Sequence, residues 1–161
     1  MQYKYHFDIA QICVNGHLVN PTAEANIVEN KIYCQECGFK TITECPDCNT
    51  SIKGKRMMME MVFKEEYNVP KFCDSCGNPY PWTKKANEAI AELIELSELN
   101  SVDKQGLALS IEELLVDNPK TNVAVVKFKR YVTKAGQEIA SAMKEVLIEI
   151  VSETVKKSIW G

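Results

Sequence analysis

Apolar residues recur at helical spacing from Thr83 onward, whereas the first 81 positions hold only short alternating runs broken by Gly, Pro and Cys. Ala86, Ile90, Leu93 and Ser97, backed by Ala89 and Leu96, share one face of a helix that Thr83 can cap and that extends to Leu99. Ser101 can cap a second helix, in which Leu107, Ile111, Leu114 and Leu115 recur at i, i+4, i+7 and i+8. Asn118-Pro119 ends it while opening a third. That third segment has two readings, because Val123, Val125 and Val126 are β-branched and suit a strand as well as a helix. Gly136 breaks or weakens it. From Gln137 to Ile159 a stripe of Ile139, Met143, Val146, Ile150, Val151 and Thr154 predicts one final long helix, with Lys156 and Lys157 suiting its C-terminus.

In the first part, KRMMMEMVF (Lys55 to Phe63) reads as an extended strand with Met57, Met59, Met61 and Phe63 on one face. The methionines either fill a small core or form an adaptable partner surface. Gly38, Gly54 and Gly77 suit turns of positive φ. GNPYPWT (77–83) predicts a stiff link, with Tyr80 and Trp82 forming an aromatic seam between Pro79 and Pro81 or, alternatively, an exposed platform. The pattern predicts an α+β chain, with a β-rich domain over 1–81 and an α-helical bundle or hairpin over 82–161. No run of 18 apolar residues is present, and MQYKYHFDIAQIC opens without an apolar signal segment, so the expected location is cytoplasmic.

Seven cysteines and one histidine fall into four pairs with no cysteine left over: Cys13-x3-His17, Cys34-x2-Cys37, Cys45-x2-Cys48 and Cys73-x2-Cys76. Two intervening residues let a tight turn aim both thiolates at one ion, and eight ligands are the number two tetrahedral zinc ions require. Disulfides would need an oxidising compartment, and the odd cysteine count disfavours them. An iron–sulfur cluster is the weaker alternative, since a histidine in one set favours zinc. The spacers of 16, 7 and 24 residues favour a sequential arrangement, because the first and third can hold hairpins. In that arrangement Cys13, His17, Cys34 and Cys37 hold one ion, and Cys45, Cys48, Cys73 and Cys76 the other. A cross-brace, as in ubiquitin-ligase-type modules, is the competing arrangement, and spacing alone does not choose. The expected fold of residues 1–81 is a double zinc ribbon with two structural ions.

The runs QICVNGHLVN, YCQECGFKTITECPDC, FCDSCGNPYPWT, DNPKT, FKRYVTKAG and IVSETVKKSIW together resemble a bacterial family of small zinc-ribbon proteins catalogued only as a domain of unknown function. The similarity covers nearly the whole chain. It implies a bacterial cytosolic protein with the same eight ligands, and it brings no activity with it.

Ligand sets closed by protein leave zinc no position for water, and no free thiol remains as a nucleophile. His6 is the one histidine left for general base work, and Glu65-Glu66 and Glu112-Glu113 are neighbours that point apart, so a non-enzymatic role is favoured. No Gly-rich phosphate loop is present. Residues 1–81 carry 8 Lys/Arg against 10 Asp/Glu, and residues 82–161 carry 11 against 12. Seven thiolates and two divalent ions would make the first part more acidic still, which argues against broad nucleic-acid binding. One segment departs from this balance. Between Asp117 and Glu138 no acid occurs, and Lys120, Lys127, Lys129, Arg130 and Lys134 surround Phe128 and Tyr131. Lys127, Lys129, Arg130 and Lys134 are therefore candidate partner-binding residues, and Lys53, Lys55 and Arg56 form a smaller basic cluster. The expected function is that of an interaction adaptor. Its metal-braced part would be a rigid recognition surface, and its C-terminal helices would dock a protein partner or a second copy. The alternatives are a nucleic-acid-associated regulator using residues 120–134 and a ubiquitin-ligase-like or metal-dependent enzyme.

Overall fold

A run of extended chain near the N-terminus serves two sheets. It is interrupted at Ala10, whose N–H donates to Ile52 O at 2.8 Å, and so divides into β1 (His6–Ile9) and β2 (Gln11–Cys13). In the first sheet β1 pairs antiparallel with β5 (Lys53–Met58), which pairs with β6 (Met61–Val62). In the second, β2 lies between β3 (Leu18–Asn20) and β4 (Thr41–Ile42). The structure, a computed structural model, describes residues 5–58, 61–62, 65–116 and 118–161, the side chains of 61–62 excepted. It divides into two units, residues 1–84 and 85–161.

The expected single strand from Lys55 to Phe63 is instead a hairpin, with Met57 opposite Val62 and Met58 opposite Met61. Folding back gives β5 a hydrogen-bonding partner on each edge, which a lone extension would lack. Met57 is buried; Met59, Phe63 and the side chain of Met61 lie outside the described residues. Gly54 serves close packing, without a positive φ. A Cβ there would stand 2.5 Å from Pro21 O and 2.8 Å from the Asp8 carbonyl.

Buried polar side chains fix the loop between β3 and the second cysteine pair. Asp8 accepts from the N–H groups of Ile9, Glu24 and Ala25, the last two at 2.9 and 3.1 Å. Gln11 donates to Thr41 Oγ1 and accepts from Lys31 N, while Asn20 bonds Asn26 O and Asn30 Oδ1 through its amide nitrogen. Each satisfies backbone groups that no sheet ladder reaches. Ala10, Ile12, Ile52 and Tyr80 pack with Cys45 and Cys73 in the apolar core of this unit.

Helix α1 (Pro81–Leu96) starts with proline, whose missing N–H costs nothing in a first turn. Thr83 is not its cap: it is fully buried and donates to Lys71 O at 2.9 Å. Ile94 rather than Leu96 joins the core, and Leu96 is exposed. Asn100, not Ser101, caps α2 (Ser101–Leu115), accepting from Asp103 N at 2.9 Å. The valine-rich segment is helical, α3 (Thr121–Lys134), because Ala124, Val125 and Phe128 then share a buried face that a strand would split. Gly106 of α2 gives room to the Tyr131 ring, whose Cζ would lie 2.5 Å from an added Cβ.

Gly136, at φ 92°, separates α3 from α4 (Gln137–Ile150). The predicted final helix is two helices. Ser152 accepts from Val155 N and opens α5 (Glu153–Trp160), while Val151 turns extended. The break brings Val151, Val155 and Ile159 into one cluster with Met143, Leu147 and Ile150, and leaves Thr154 on the surface. Among the described residues no helix is long and apolar enough to cross a membrane.

Candidate metal centres

Three of the four ligand pairs are built alike. In each Cys-x2-Cys turn, the first cysteine accepts at its carbonyl from the residue after the second: Gly38 to Cys34, Asn49 to Cys45, and Gly77 to Cys73, all at 2.8–2.9 Å. That residue has a positive φ (73°, 60° and 74°), so glycine or asparagine is required there. The first cysteine N–H returns to Phe39 O, Thr50 O and Asn78 O respectively, and each turn is closed by one β-bridge. The pair Cys13 and His17 is different. Here Cys13 N donates to His17 O, Gly16 takes φ 92°, and Trp82 Cβ stands 3.0 Å from where a Gly16 Cβ would be. Trp82 is held by its own bond to Pro70 O at 2.8 Å and by stacking on Tyr80 at 4.8 Å.

These turns gather the eight residues into two sets. Cys13, His17, Cys34 and Cys37 form one and Cys45, Cys48, Cys73 and Cys76 the other, with the ligand atoms of each set within 4.8 Å of one another. The grouping is sequential, so the cross-brace on which a ubiquitin-ligase-like reading depended is not the arrangement. In the first set Cys13 and Cys37 sulfurs are 3.7 Å apart, and His17 Nδ1 is 3.4 Å from Cys13 and 3.6 Å from Cys34. In the second, Cys45 and Cys76 are 3.8 Å apart, and Cys48 and Cys73 are 3.6 Å apart. Sulfurs at tetrahedral positions about 2.3 Å from a zinc ion are separated by about 3.8 Å. The donor sets therefore fit a tetrahedral, thiophilic ion.

Electrostatics supports the same fit. Backbone N–H of Phe39 lowers the Cys37 pKa to about 6, and hydrogen bonds with the hydroxyl and N–H of Thr50 lower Cys48 to about 6. The N–H groups of Cys76 and Ser75 lower Cys73. Others in the same sets move oppositely: desolvation raises Cys13. At Cys76 the Asn78 N–H lowers the pKa, but burial and hydrogen bonds with the neighbouring sulfurs carry it up to about 12. Thiolates this close repel, so full ionisation of either set calls for a cation at its centre. His17 presents Nδ1 to the sulfurs and Nε2 to Glu36 at 3.7 Å, an arrangement that suits a metal-bound imidazole.

Asn15, Thr50, Glu36 and Asn49 were not singled out from the sequence. Asn15 donates to Cys13 through its backbone at 3.3 Å and to Cys37 through Nδ2 at 3.5 Å. Asn49 carried a readable signal, since it occupies the place after Cys48 that Gly38 and Gly77 hold after Cys37 and Cys76. His6 is exposed on β1, Glu65 pairs with Arg56, and Glu113 pairs with Lys127.

The candidate partner-binding residues lie exposed on α3. Several are engaged within their own unit: Lys127 with Glu113 at 3.3 Å, Lys134 with Asp103 at 2.9 Å, and Lys129 with Ser158 O at 3.0 Å. Among the described residues Arg130 and Lys120 have no ion pair. Lys53 pairs with Asp74 and Arg56 with Glu65, so the smaller basic cluster is offset by neighbouring acids.

Each of the two four-residue sets in this α+β chain could hold a metal ion, and all seven cysteines lie within them. Residues 6–159 match the family described as an uncharacterized protein conserved in bacteria (DUF2321), and the chain belongs to that family. Neither the curated proteins nor the solved structures yield a match to it.

Proposed function

We propose that this is a non-enzymatic adaptor in which residues 1–84 form a double zinc ribbon and the helices of residues 85–161 present an interaction face. The observation that carries the reading is the closure of both ligand sets: four protein donors per centre, at separations suited to tetrahedral zinc. Zinc held this way would act as a structural cross-link, with no position for substrate or activated water. Metal-braced turns hold backbone and side chains ready for a partner at low ordering cost. Metal analysis of the purified protein tests the structural half, with two equivalents of zinc expected. Chelation followed by limited proteolysis should then open residues 1–84 to cleavage. Fewer than two equivalents, or an unchanged digestion pattern after complete metal removal, would contradict it.

A nucleic-acid-associated role for α3 is the second reading, supported by Lys120 and Arg130, which keep their charge uncompensated. It predicts retention of RNA or DNA that falls steeply between low and physiological salt and is lost in Arg130→Glu. Retention that ignores salt, or none at low salt, would remove it.

A further inference from the structure

The 3-10 turn at Ile27–Glu29 is polar within and apolar without. Asn20, 2 % exposed, donates to Asn26 O at 2.8 Å and Asn30 Oδ1 at 2.7 Å, and Asn30 Nδ2 donates to Ala23 O at 3.0 Å. Together with the Asp8 bonds to Glu24 and Ala25, this pins the turn from beneath. None of its three residues is buried, and Ile27 and Val28 are 70 % and 80 % exposed. Ile32, Tyr33 and Phe39 follow, also exposed. They belong to the adjoining cysteine turn, which Thr41 N→Ile32 O and the Tyr33–Lys40 bridge hold in place. Scattered apolar residues on a surface are ordinary, whereas five exposed within thirteen tethered residues mark this stretch as a candidate contact surface. The surroundings are acidic: Glu24, Glu29, Glu36 and Glu44 are exposed against Lys31 and Lys40.

Its complement lies on α3. Val123 and Val126, 54 % and 69 % exposed, share with Arg130 the i, i+3, i+7 face away from Val125 and Phe128, with Lys120 and Lys127 beside them. Valine is a mediocre helix former and gains nothing from water, so the exposed Val123 and Val126 disfavour the free helix on both counts. We propose that the chain self-associates, the acid-rimmed apolar surface at residues 27–39 of one copy docking on the base-rimmed valine face of α3 in a second copy. Charge complementarity identifies the occupant: both surfaces have an apolar centre, and their rims carry opposite signs. The inference specifies the partner in the adaptor reading and rests on it for a metal-loaded first unit.

The test is sedimentation of the full, zinc-loaded chain from about 1 to 100 µM, the range of weak specific association. Wild type should associate, and more weakly as salt is raised. Lys120→Glu/Arg130→Glu and, separately, Glu29→Lys/Glu44→Lys should each be monomeric, and mixing the two variants should restore a complex, because the unaltered acidic surface of the first meets the unaltered basic face of the second. These positions avoid the metal ligands and Glu36, and circular dichroism with zinc content measured on the same samples verifies folding. Val126→Ser should weaken association at every salt concentration. A wild type that stays monomeric with two zincs bound would overturn the proposal, as would charge variants that associate like wild type or a mixture that stays monomeric. A zinc deficit, by contrast, counts against the metal reading.

Discussion

Among the described residues, 85–161 gather sixteen buried apolar side chains into one cluster, from Ile90 to Ile159, whereas the buried cluster of residues 1–84 has six, two of them the candidate ligands Cys45 and Cys73. The helical unit follows the ordinary rule that burial of apolar area offsets chain entropy. The first unit has short strands, two of them only two residues long, and spends several buried positions on Asp8, Gln11, Asn20 and Thr41. So small an apolar core seldom suffices alone, and small domains of this kind draw on metal or disulfides. The comparison teaches where each unit is fragile: one at its ligands, the other at its packed side chains.

The largest expected effect is that of Cys34→Ser. Ligand loss should remove most of the metal's contribution to folding at the first centre, of order 10 kcal/mol. Two-dimensional NMR should show collapse of the dispersed signals of residues 5–58 while the helical signals persist. Retained dispersion would break the contrast between units. Next, Phe128→Ala, deleting a ring 2 % exposed at the centre of the helical cluster, should cost about 3–5 kcal/mol in chemical denaturation and leave the zinc content unchanged. Asp8→Ala removes the buried carboxylate that the N–H groups of Glu24 and Ala25 donate to and should cost about 1–3 kcal/mol, read as faster amide exchange around residues 23–26. Ser152→Ala removes the α5 cap and should cost about 1 kcal/mol by thermal melting.

Legibility differed between the same two units. The two four-residue groupings were readable because metal chemistry fixes residue type and spacing together, and α1 and α2 were readable from their apolar periodicity, whereas the β-branched segment that forms α3 suited strand and helix alike. Boundaries were less so. Thr83 and Ser101 are good capping residues, yet α1 already begins at Pro81 and Asn100 caps α2, since the Thr83 hydroxyl is committed to Lys71 O and Asn100 reaches Asp103 N. The interruption at Ser152 was hidden because Val151 and Val155 prolong an apolar pattern that a straight helix satisfies almost as well. Between the paired Met58 and Met61 the sequence holds no Gly, Asn or Pro to announce a hairpin. Asp8, Gln11 and Asn20 were illegible for another reason: a buried polar residue declares itself only through partners far along the chain, as Gln11 does with Lys31 and Thr41.

The central claim is that two protein-closed tetrahedral ions organise residues 1–84, and zinc-edge X-ray absorption on the protein as purified addresses it most directly. The account predicts four-coordinate zinc whose two ions share seven sulfurs and one imidazole nitrogen, with no oxygen neighbour. A spectrum showing oxygen ligands, a markedly lower sulfur count, or iron in place of zinc would contradict it.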